Sequence, residues 1–448
     1  MTKKVAIISL GCDKNRVDTE VMMQSLNNGG CVFVSDLAEA EVIVVNTCAF
    51  IAAARKEAVD TVLAAAEFKA AGACEKLIVT GCLPAKYMDE LEPLYEADAF
   101  LGTADYGGIN EAIERTYRGE RVFLNDRTDG ETTARYLTTP PHYAYLKIAD
   151  GCDNRCAYCT IPSIRGRYKS RTFDSLVTEA EELCAGGVRE LVLVAQDTTR
   201  YGTDTAGQRL LPKLVDKLSQ IKGAEWIRIM YCYPESIDAE LLETVAHNPK
   251  VCKYLDIPLQ HINSRILGLM RRRIDGPGIY KLLDNIAKIN DNICVRSSFI
   301  AGFPSETEAE FAELKAFVGS GLVRRAGFFA YSREAGTPAA SMSGQIPAAA
   351  KKRRLNELAA AGAAAALRRN AETVGATLDV RYEGIDMKRK MFRGRSMYDA
   401  PDVDTEVFFR GAFADIGRVY PVKITGYDGY DLIGEIQGDT IPNIMGSP

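Results

Sequence analysis

The sequence predicts an α/β chain in three parts: an N-terminal open parallel α/β sheet domain, a partial (β/α)6 TIM-like barrel, and a small antiparallel β-barrel at the C-terminal end. From residue 5 to about residue 330, β-rich runs alternate with helical patterns, as parallel βαβ units require. Beyond about residue 376 that alternation gives way to short strands and turns. With 448 residues, 47% of them hydrophobic, the chain has material for two or three cores rather than one.

In the first part, strand-like runs at 5–10, 42–46 and 77–80 enclose helical patterns at 19–27 and 52–71. Each run leads directly into a cysteine, giving Leu10-Gly11-Cys12, Asn46-Thr47-Cys48 and Thr80-Gly81-Cys82. The cysteines are 36 and 34 residues apart, about one βαβ unit each. Right-handed crossovers put the carboxyl ends of parallel strands on one sheet edge, where ligand crevices form. Cys12, Cys48 and Cys82 are therefore expected in one site, with Gly11 and Gly81 allowing a close approach to a bulky inorganic ligand. A lone cysteine at a strand end is most simply a small apolar residue, but three in one topological position suggest shared ligation. Cys31, beside a Gly-Gly turn, and Cys74, ahead of a strand, are left outside the site.

The stretch 118–141 is polar, ends in Thr-Thr-Pro-Pro and reads as a linker. After it, strand-like runs recur at 143–149, 190–196, 226–231, 254–258, 293–300 and 327–332, with helical patterns between them. The active mouth of such a barrel lies at the strands' carboxyl ends. The first run delivers Cys152-Asp153-Asn154-Arg155-Cys156-Ala157-Tyr158-Cys159, three thiolates within eight residues. A structural zinc site would need a fourth ligand nearby, and the three histidines, His142, His247 and His261, offer no such pairing. A cubane iron–sulfur cluster held by Cys152, Cys156 and Cys159, with one iron left open, fits the spacing better; four-cysteine ferredoxin patterns differ from it.

Later strand ends bring Gln196-Asp197, Tyr231 to Glu235, Gln260-His261, Ser297-Ser298 and Tyr331-Ser332. Gln196 and Arg296 are the candidate cofactor contacts. Arg296 could grip a ligand carboxylate bidentately, or form an ion pair inside the barrel. The loop Gly302-Phe303-Pro304-Ser305-Glu306 is either a nucleoside contact or a helix-entry turn. The cations Arg165, Arg167, Lys169 and Arg171 near the mouth could meet a polyanion or be solvated. Arg271 to Arg273 close a helical pattern and read as structural.

Composition narrows the function. Fifty-five basic against 60 acidic side chains leave −5, unlike a protein that binds polyanions throughout. Twelve cysteines in so long a chain suggest thiolates for metal in a reducing cytosol. The apolar run at 5–10 is too short for a signal peptide and no run is long enough to span a membrane, so a cytoplasmic protein with no membrane partner is expected. A helix over 348–373 connects to the tail, whose residues 376–448 carry nine Lys or Arg against twelve Asp or Glu. A module built to hold a nucleic acid backbone should be basic. This one is suited to a protein partner, a basic one above all.

Taken together, the motifs resemble those of the methylthiotransferases of the radical S-adenosylmethionine (SAM) superfamily, over nearly the whole chain. That resemblance implies an N-terminal methylthiotransferase domain with linker at 1–136, a radical SAM core at 137–371 and a TRAM domain at 372–448. It implies SAM bound at the open iron of the Cys152/Cys156/Cys159 cluster, and a second 4Fe–4S cluster on Cys12, Cys48 and Cys82. Two branches exist, one acting on a tRNA adenosine and one on an aspartate of ribosomal protein uS12. The sequence is similar to the second at Gly11-Cys12-Asp13-Lys14-Asn15-Arg16-Val17-Asp18, Thr47-Cys48-Ala49-Phe50-Ile51, Ile161-Pro162-Ser163-Ile164-Arg165-Gly166, Ile257-Pro258-Leu259-Gln260-His261-Ile262-Asn263 and Arg395-Ser396-Met397-Tyr398-Asp399-Ala400-Pro401. Ala49 departs from a more usual glycine. The resemblance implies methylthiolation of the aspartate β-carbon, with SAM as methyl donor and radical source, an external electron donor and sulfur source, and a monomer. The competing classes are the tRNA enzyme and a non-catalytic iron–sulfur factor that binds ribosome or RNA.

Overall fold

The computed structural model describes residues 3–125, 134–412 and 414–437. The N-terminal part runs β1 (Lys4–Ser9), α1 (Asp13–Asn28), β2 (Val32–Phe33), β3 (Val42–Thr47), α2 (Ala52–Ala71), β4 (Lys76–Gly81), α3 (Cys82–Tyr87), β5 (Ala99–Leu101), α4 (Ile109–Tyr117) and β6 (Val122–Leu124). Its sheet has the order β2-β1-β3-β4-β5-β6, with every pair parallel. The central strand β3 is buried at all six positions, which is why it reads as an unbroken apolar run. The linker expected from residue 118 instead contains β6. Three residues show no period, and only pairing with β5 and the stack of Phe123 on Phe100, 5.3 Å between centroids, make them a strand.

The central part contains β7 (Tyr143–Lys147), β8 (Ala149–Asp150), α5 (Ile161–Ile164), β9 (Lys169–Ser170), α6 (Phe173–Ala185), β10 (Glu190–Val194), α7 (Leu211–Ser219), β11 (Trp226–Ile229), α8 (Ala239–His247), β12 (Val251–Asp256), α9 (Ser264–Leu269), α10 (Gly276–Ile289), β13 (Cys294–Ala301), α11 (Glu308–Ser320), β14 (Arg325–Ala330) and α12 (Ala348–Thr373). Six parallel strands follow one another in the order β14-β13-β12-β11-β10-β7. Alternate residues such as Leu191 and Leu193 of β10 face the helical layer, whereas Val192 and Val194 face the interior with Tyr145, Met230 and Tyr254. The first strand of this part ends two residues earlier than its apolar run, because β8 turns away to pair antiparallel with β9.

The tail strands β15 (Thr377–Asp386), β16 (Met391–Ser396), β17 (Val407–Arg410), β18 (Val419–Asp428) and β19 (Asp431–Ile436) close into a barrel. It is not wholly antiparallel as expected: β17 and β19 run parallel, because β18 crosses to the far side before β19 returns. The segment after β16 fills the open interior of the central sheet. Met397, Tyr398 and Ala400 join Val17 of α1 against Tyr143, Val192 and Tyr254. Tyr254 Oη donates to Asp404 at 2.6 Å and Arg228 donates to the Met397 carbonyl at 2.9 Å. N-terminal helix, central sheet and tail therefore share one core.

Candidate active site

Cys12 precedes α1 at its N-cap position, Cys48 follows β3 directly, and Cys82 opens α3 at the end of β4. The three strand ends are neighbours in register, Ser9 beside Asn46 and Thr47 beside Gly81. The Asn15 side chain, buried in the first turn of α1, ties them together. It donates to Leu10 O at 3.1 Å and to Thr47 O at 2.9 Å, and its carbonyl oxygen is 3.6 Å from the Cys82 sulfur. The glycines allow this close packing of chain on chain. Gly81 has φ +97°, and a Cβ there would lie 2.6 Å from Thr47 O; one at Gly11 would lie 3.0 Å from the Cys48 Cβ. Burial pushes the Cys82 thiol up to about 12, with Arg165 the chief opposing influence. Burial also raises Cys48, against the Phe50 amide.

The second trio sits on the loop beyond β8. Gly151, at φ +75°, lets that loop cross the Arg167 carbonyl, which a Cβ would approach to 2.1 Å. The amide of Asn154 points at the Cys152 sulfur and that of Ile161 at the Cys159 sulfur, both at 3.5 Å. Cys156 is met by Tyr233 Oη at 3.3 Å and by a guanidinium nitrogen of Arg272 at 3.8 Å. The Arg272 guanidinium, 4.2 Å over the Tyr233 ring, is buried and paired with Glu235. Arg272 is thus a residue of the site, not the helix-end cation that its position in the sequence suggests. Burial pushes the Cys152 thiol up to about 11, against the Asn154 amide, and raises Cys159, helped by neighbouring Cys156.

None of the twelve cysteines is in a disulfide. Among the described residues, no three His, Cys, Asp or Glu side chains are arranged to hold one metal ion. A cubane cluster needs no such convergence, because each thiolate takes a different iron. The donor set fits it: Cys48, Cys82, Cys152 and Cys159, whose thiol forms burial favours, would ionise on a metal's charge, and the N–H groups aimed at the core sulfurs would stabilise the thiolates.

Segments next to the two trios are in contact. Thr160, next to Cys159, donates to the Phe50 carbonyl, two residues past Cys48, at 3.2 Å. Tyr231 Oη donates to Asp13, beside Cys12, at 3.3 Å, and Lys14 lies over the Tyr231 ring at 3.3 Å. Arg165 is neither solvated nor free for a polyanion. It is buried, donating to Asn15 at 2.5 Å and to Asp18 and Asp150 at 2.8 Å each. Arg171 pairs with Glu179 and Arg167 with Asp153, leaving Lys169 exposed.

The remaining candidates divide. Gln196 lies beside the cysteine loop, donating to Asp150 at 2.9 Å while its carbonyl oxygen is buried without a partner. Arg296 is engaged in the interior: it donates to Asp256 at 2.8 Å and lies 3.4 Å from Asp404 of the tail. These partners make Arg296 part of an ion pair inside the barrel. In the loop that starts at Gly302, Glu306 accepts from the backbone amides of Gly302 and Phe303, an internal turn closure. A cavity of about 560 Å³ opens beside Cys12, lined also by Arg16, Tyr145, Met230, Tyr231 and Asp402.

Six parallel strands with a three-cysteine loop after the first define a radical SAM enzyme, and the comparisons agree. Residues 146–318 match the Radical SAM superfamily, residues 4–102 the Uncharacterized protein family UPF0004, and residues 374–436 the TRAM domain. Among solved structures, the radical S-adenosylmethionine methyltransferase TsrM from Kitasatospora setae is similar in fold, with TM-score 0.55 and 14% identity over 76% of this chain and 74% of that one. The cobalamin-dependent S-adenosylmethionine radical enzyme OxsB has TM-score 0.51 and 10% identity, over 80% of this chain and 55% of that one. Proteins named ribosomal protein uS12 methylthiotransferase RimO are far closer in sequence. That of Pelobacter propionicus is 43% identical over 98% of this chain and 99% of its own length. That of Desulforudis audaxviator is 44% identical over 96% of each. The chain belongs to the uS12 methylthiotransferase family.

Proposed function

We propose that this chain transfers a methylthio group to the β-carbon of an aspartate in ribosomal protein uS12. Its cofactors are SAM and two 4Fe–4S clusters, one on Cys12, Cys48 and Cys82 and the other on Cys152, Cys156 and Cys159. One observation supports the reading: the segments that carry the two cysteine trios come from different sheets and are tied by hydrogen bonds from Thr160 to Phe50 and from Arg165 to Asn15, in a chain that aligns along its length with enzymes of that name.

When bound, SAM and the clusters supply a methylated sulfur and a radical able to take hydrogen from an unactivated C–H bond, which no side-chain base could deprotonate. The chain's own residues bind, orient and exclude. Asn154, Ile161 and Arg272 direct N–H groups at the core sulfurs, and Tyr233 adds its hydroxyl to Cys156. Gln196, with its unpartnered buried oxygen, is the residue beside that loop best placed to receive a cofactor donor. The cavity beside Cys12 is large enough for an acidic side chain and its neighbours. The tail carries net negative charge, which suits a basic ribosomal protein better than an RNA backbone.

In this reading the working units are 1–136, 137–371 and 372–448, and the protein acts as a cytoplasmic monomer fed by an external electron donor and sulfur source. The test is mass spectrometry of uS12 and of tRNA incubated separately with the anaerobically reconstituted enzyme, SAM, sulfide and reductant. A methylthio group on the uS12 aspartate is the expected result. A methylthio group on tRNA alone would transfer the chain to the RNA-modifying branch. Absence of 5′-deoxyadenosine would make it a binding factor.

A further inference from the structure

Asn15 and Arg165 occupy a position that neither ligation nor ordinary packing accounts for. The Asn15 side chain reaches all three loops of the N-terminal trio. Leu10 O lies two residues before Cys12, Thr47 O immediately before Cys48, and the third contact is the Cys82 sulfur itself. Asparagine is a mediocre helix former and its usual place is the cap, bonding its own helix. Here one amide hydrogen reaches back to Leu10, ahead of the helix, and the other goes to Thr47 at the end of β3. The oxygen that faces Cys82 also accepts from Arg165 at 2.5 Å.

Arg165 performs the same function for the other trio. It lies six residues past Cys159, and its second guanidinium nitrogen holds Asp150, two residues before Cys152. The first nitrogen also takes Asp18 of α1, at 2.8 Å. The planar guanidinium fork therefore clamps both ends of the core cysteine loop to the helix that starts at Cys12. Lys147, paired with Asp18 and Asp150, completes a set of two cations and two anions, buried except for part of Asp150, whose net charge is zero. Its consequence is geometric.

We propose that Asn15 and Arg165 are positioning residues that fix the distance and orientation between the two cysteine trios, so that a radical formed at one is met by the sulfur held at the other. This rests on the function proposed above. A reaction between groups on separately folded sheets is sensitive to small offsets, a displacement of about 1 Å costing on the order of a hundredfold in rate. The predicted defect is uncoupling: the radical forms, but the sulfur is not delivered in time.

The test uses full-length, anaerobically reconstituted protein carrying Arg165→Lys, Asn15→Ala or, as a control, Thr103→Val. Lysine keeps the charge and loses the fork. Alanine removes the three-loop contact while leaving Arg165 its two aspartates. Thr103→Val deletes an interdomain hydrogen bond, Thr103 Oγ1 to Ile164 O at 3.3 Å, next to Arg165 but with every bond of Asn15 and Arg165 left in place. The readouts are iron per chain, the spin–spin interaction between the reduced clusters by electron paramagnetic resonance, and 5′-deoxyadenosine formed per methylthiolated uS12. The expected result is full iron in both variants, an altered spin–spin interaction, and a ratio raised roughly tenfold or more, with Thr103→Val within about twofold of the parent. The proposal is overturned if both variants keep the parent's interaction and ratio, or if Thr103→Val uncouples equally. Loss of iron from Arg165→Lys leaves Asn15→Ala to decide, and loss from both also overturns it, since the pair would then build the sites rather than space them. A parent that makes no methylthiolated uS12 contradicts the function instead.

Discussion

Glu190→Gln should loosen the tail barrel from the catalytic core. Glu190 is fully buried at the start of β10, receiving Arg228 Nε at 2.8 Å and Arg395 Nη2 of the tail at 2.9 Å. Arg395 in turn pairs with Glu383, which also meets His142 at 3.0 Å. Removing the Glu190 charge weakens two charge-assisted bonds worth about 1.5–3 kcal/mol each and leaves buried Arg228 with no carboxylate and Arg395 with Glu383 alone, for a loss of about 3–5 kcal/mol. The penalty should fall on tail docking, because three parts in one chain do not unfold as a single unit. Hydrogen exchange reads it: protection in β15 to β19 should fall by roughly a hundredfold to a few thousandfold, and a cycle with Arg395→Met should show coupling of about 2 kcal/mol. A loss below about 1 kcal/mol, or no coupling, would refute the reasoning. Burial alone would raise the Glu190 carboxyl, but Arg395 and Arg228 outweigh it and hold the pKa well below the ordinary range. The folded value lies under the unfolded one of about 4.3, so the contribution is complete above that pH and fades only as pH falls through the folded value. Protection of the tail by this pair should thus be constant from about pH 8 to 5.

Gly81→Ala puts a Cβ against Thr47 O and Asn46 at φ +97°, at a cost of about 1–2 kcal/mol for the backbone before any clash. Iron should be lost from the N-terminal trio while SAM cleavage persists; full iron content would count against the packing role given to that glycine. Arg272→Gln removes a buried cation beside Cys156. The core cluster's potential should fall by on the order of tens of millivolts, since charge and hydrogen bonds at sulfur set it, and an unchanged redox titration would remove Arg272 from the site. Tyr254→Phe deletes the bond to Asp404 and should cost tail docking about 1–2 kcal/mol by the same exchange measurement.

The fold was legible in the sequence where elements are long or doubly buried. The runs ending at Cys12, Cys48 and Cys82 announce their strands because parallel strands covered on both faces are continuous in apolar residues. β2, β5 and β6 were not legible: at two or three residues, only the register with a neighbour makes them strands. The cysteines were legible as candidates because their spacing repeats the unit that positions them. Their surroundings were not. Arg165, Arg272 and Asn15 are polar residues near a motif, and nothing local separates a buried clamp from a solvated charge. Arg296 illustrates the limit, since its partner Asp404 comes from a segment 108 residues away. The motif Arg395 to Pro401 could be recognised without any hint that it fills the barrel interior.

The most direct measurement compares two triple variants, Cys12/Cys48/Cys82→Ala and Cys152/Cys156/Cys159→Ala, for iron, 5′-deoxyadenosine and methylthiolated uS12. About eight irons are expected in the parent and about half in each variant, as two cubane sites require. The first variant should still cleave SAM and yield no methylthiolated product; the second should do neither. Unchanged iron in either variant, or SAM cleavage surviving loss of the core trio, would contradict the division of the chain into one site that makes the radical and one that holds the sulfur.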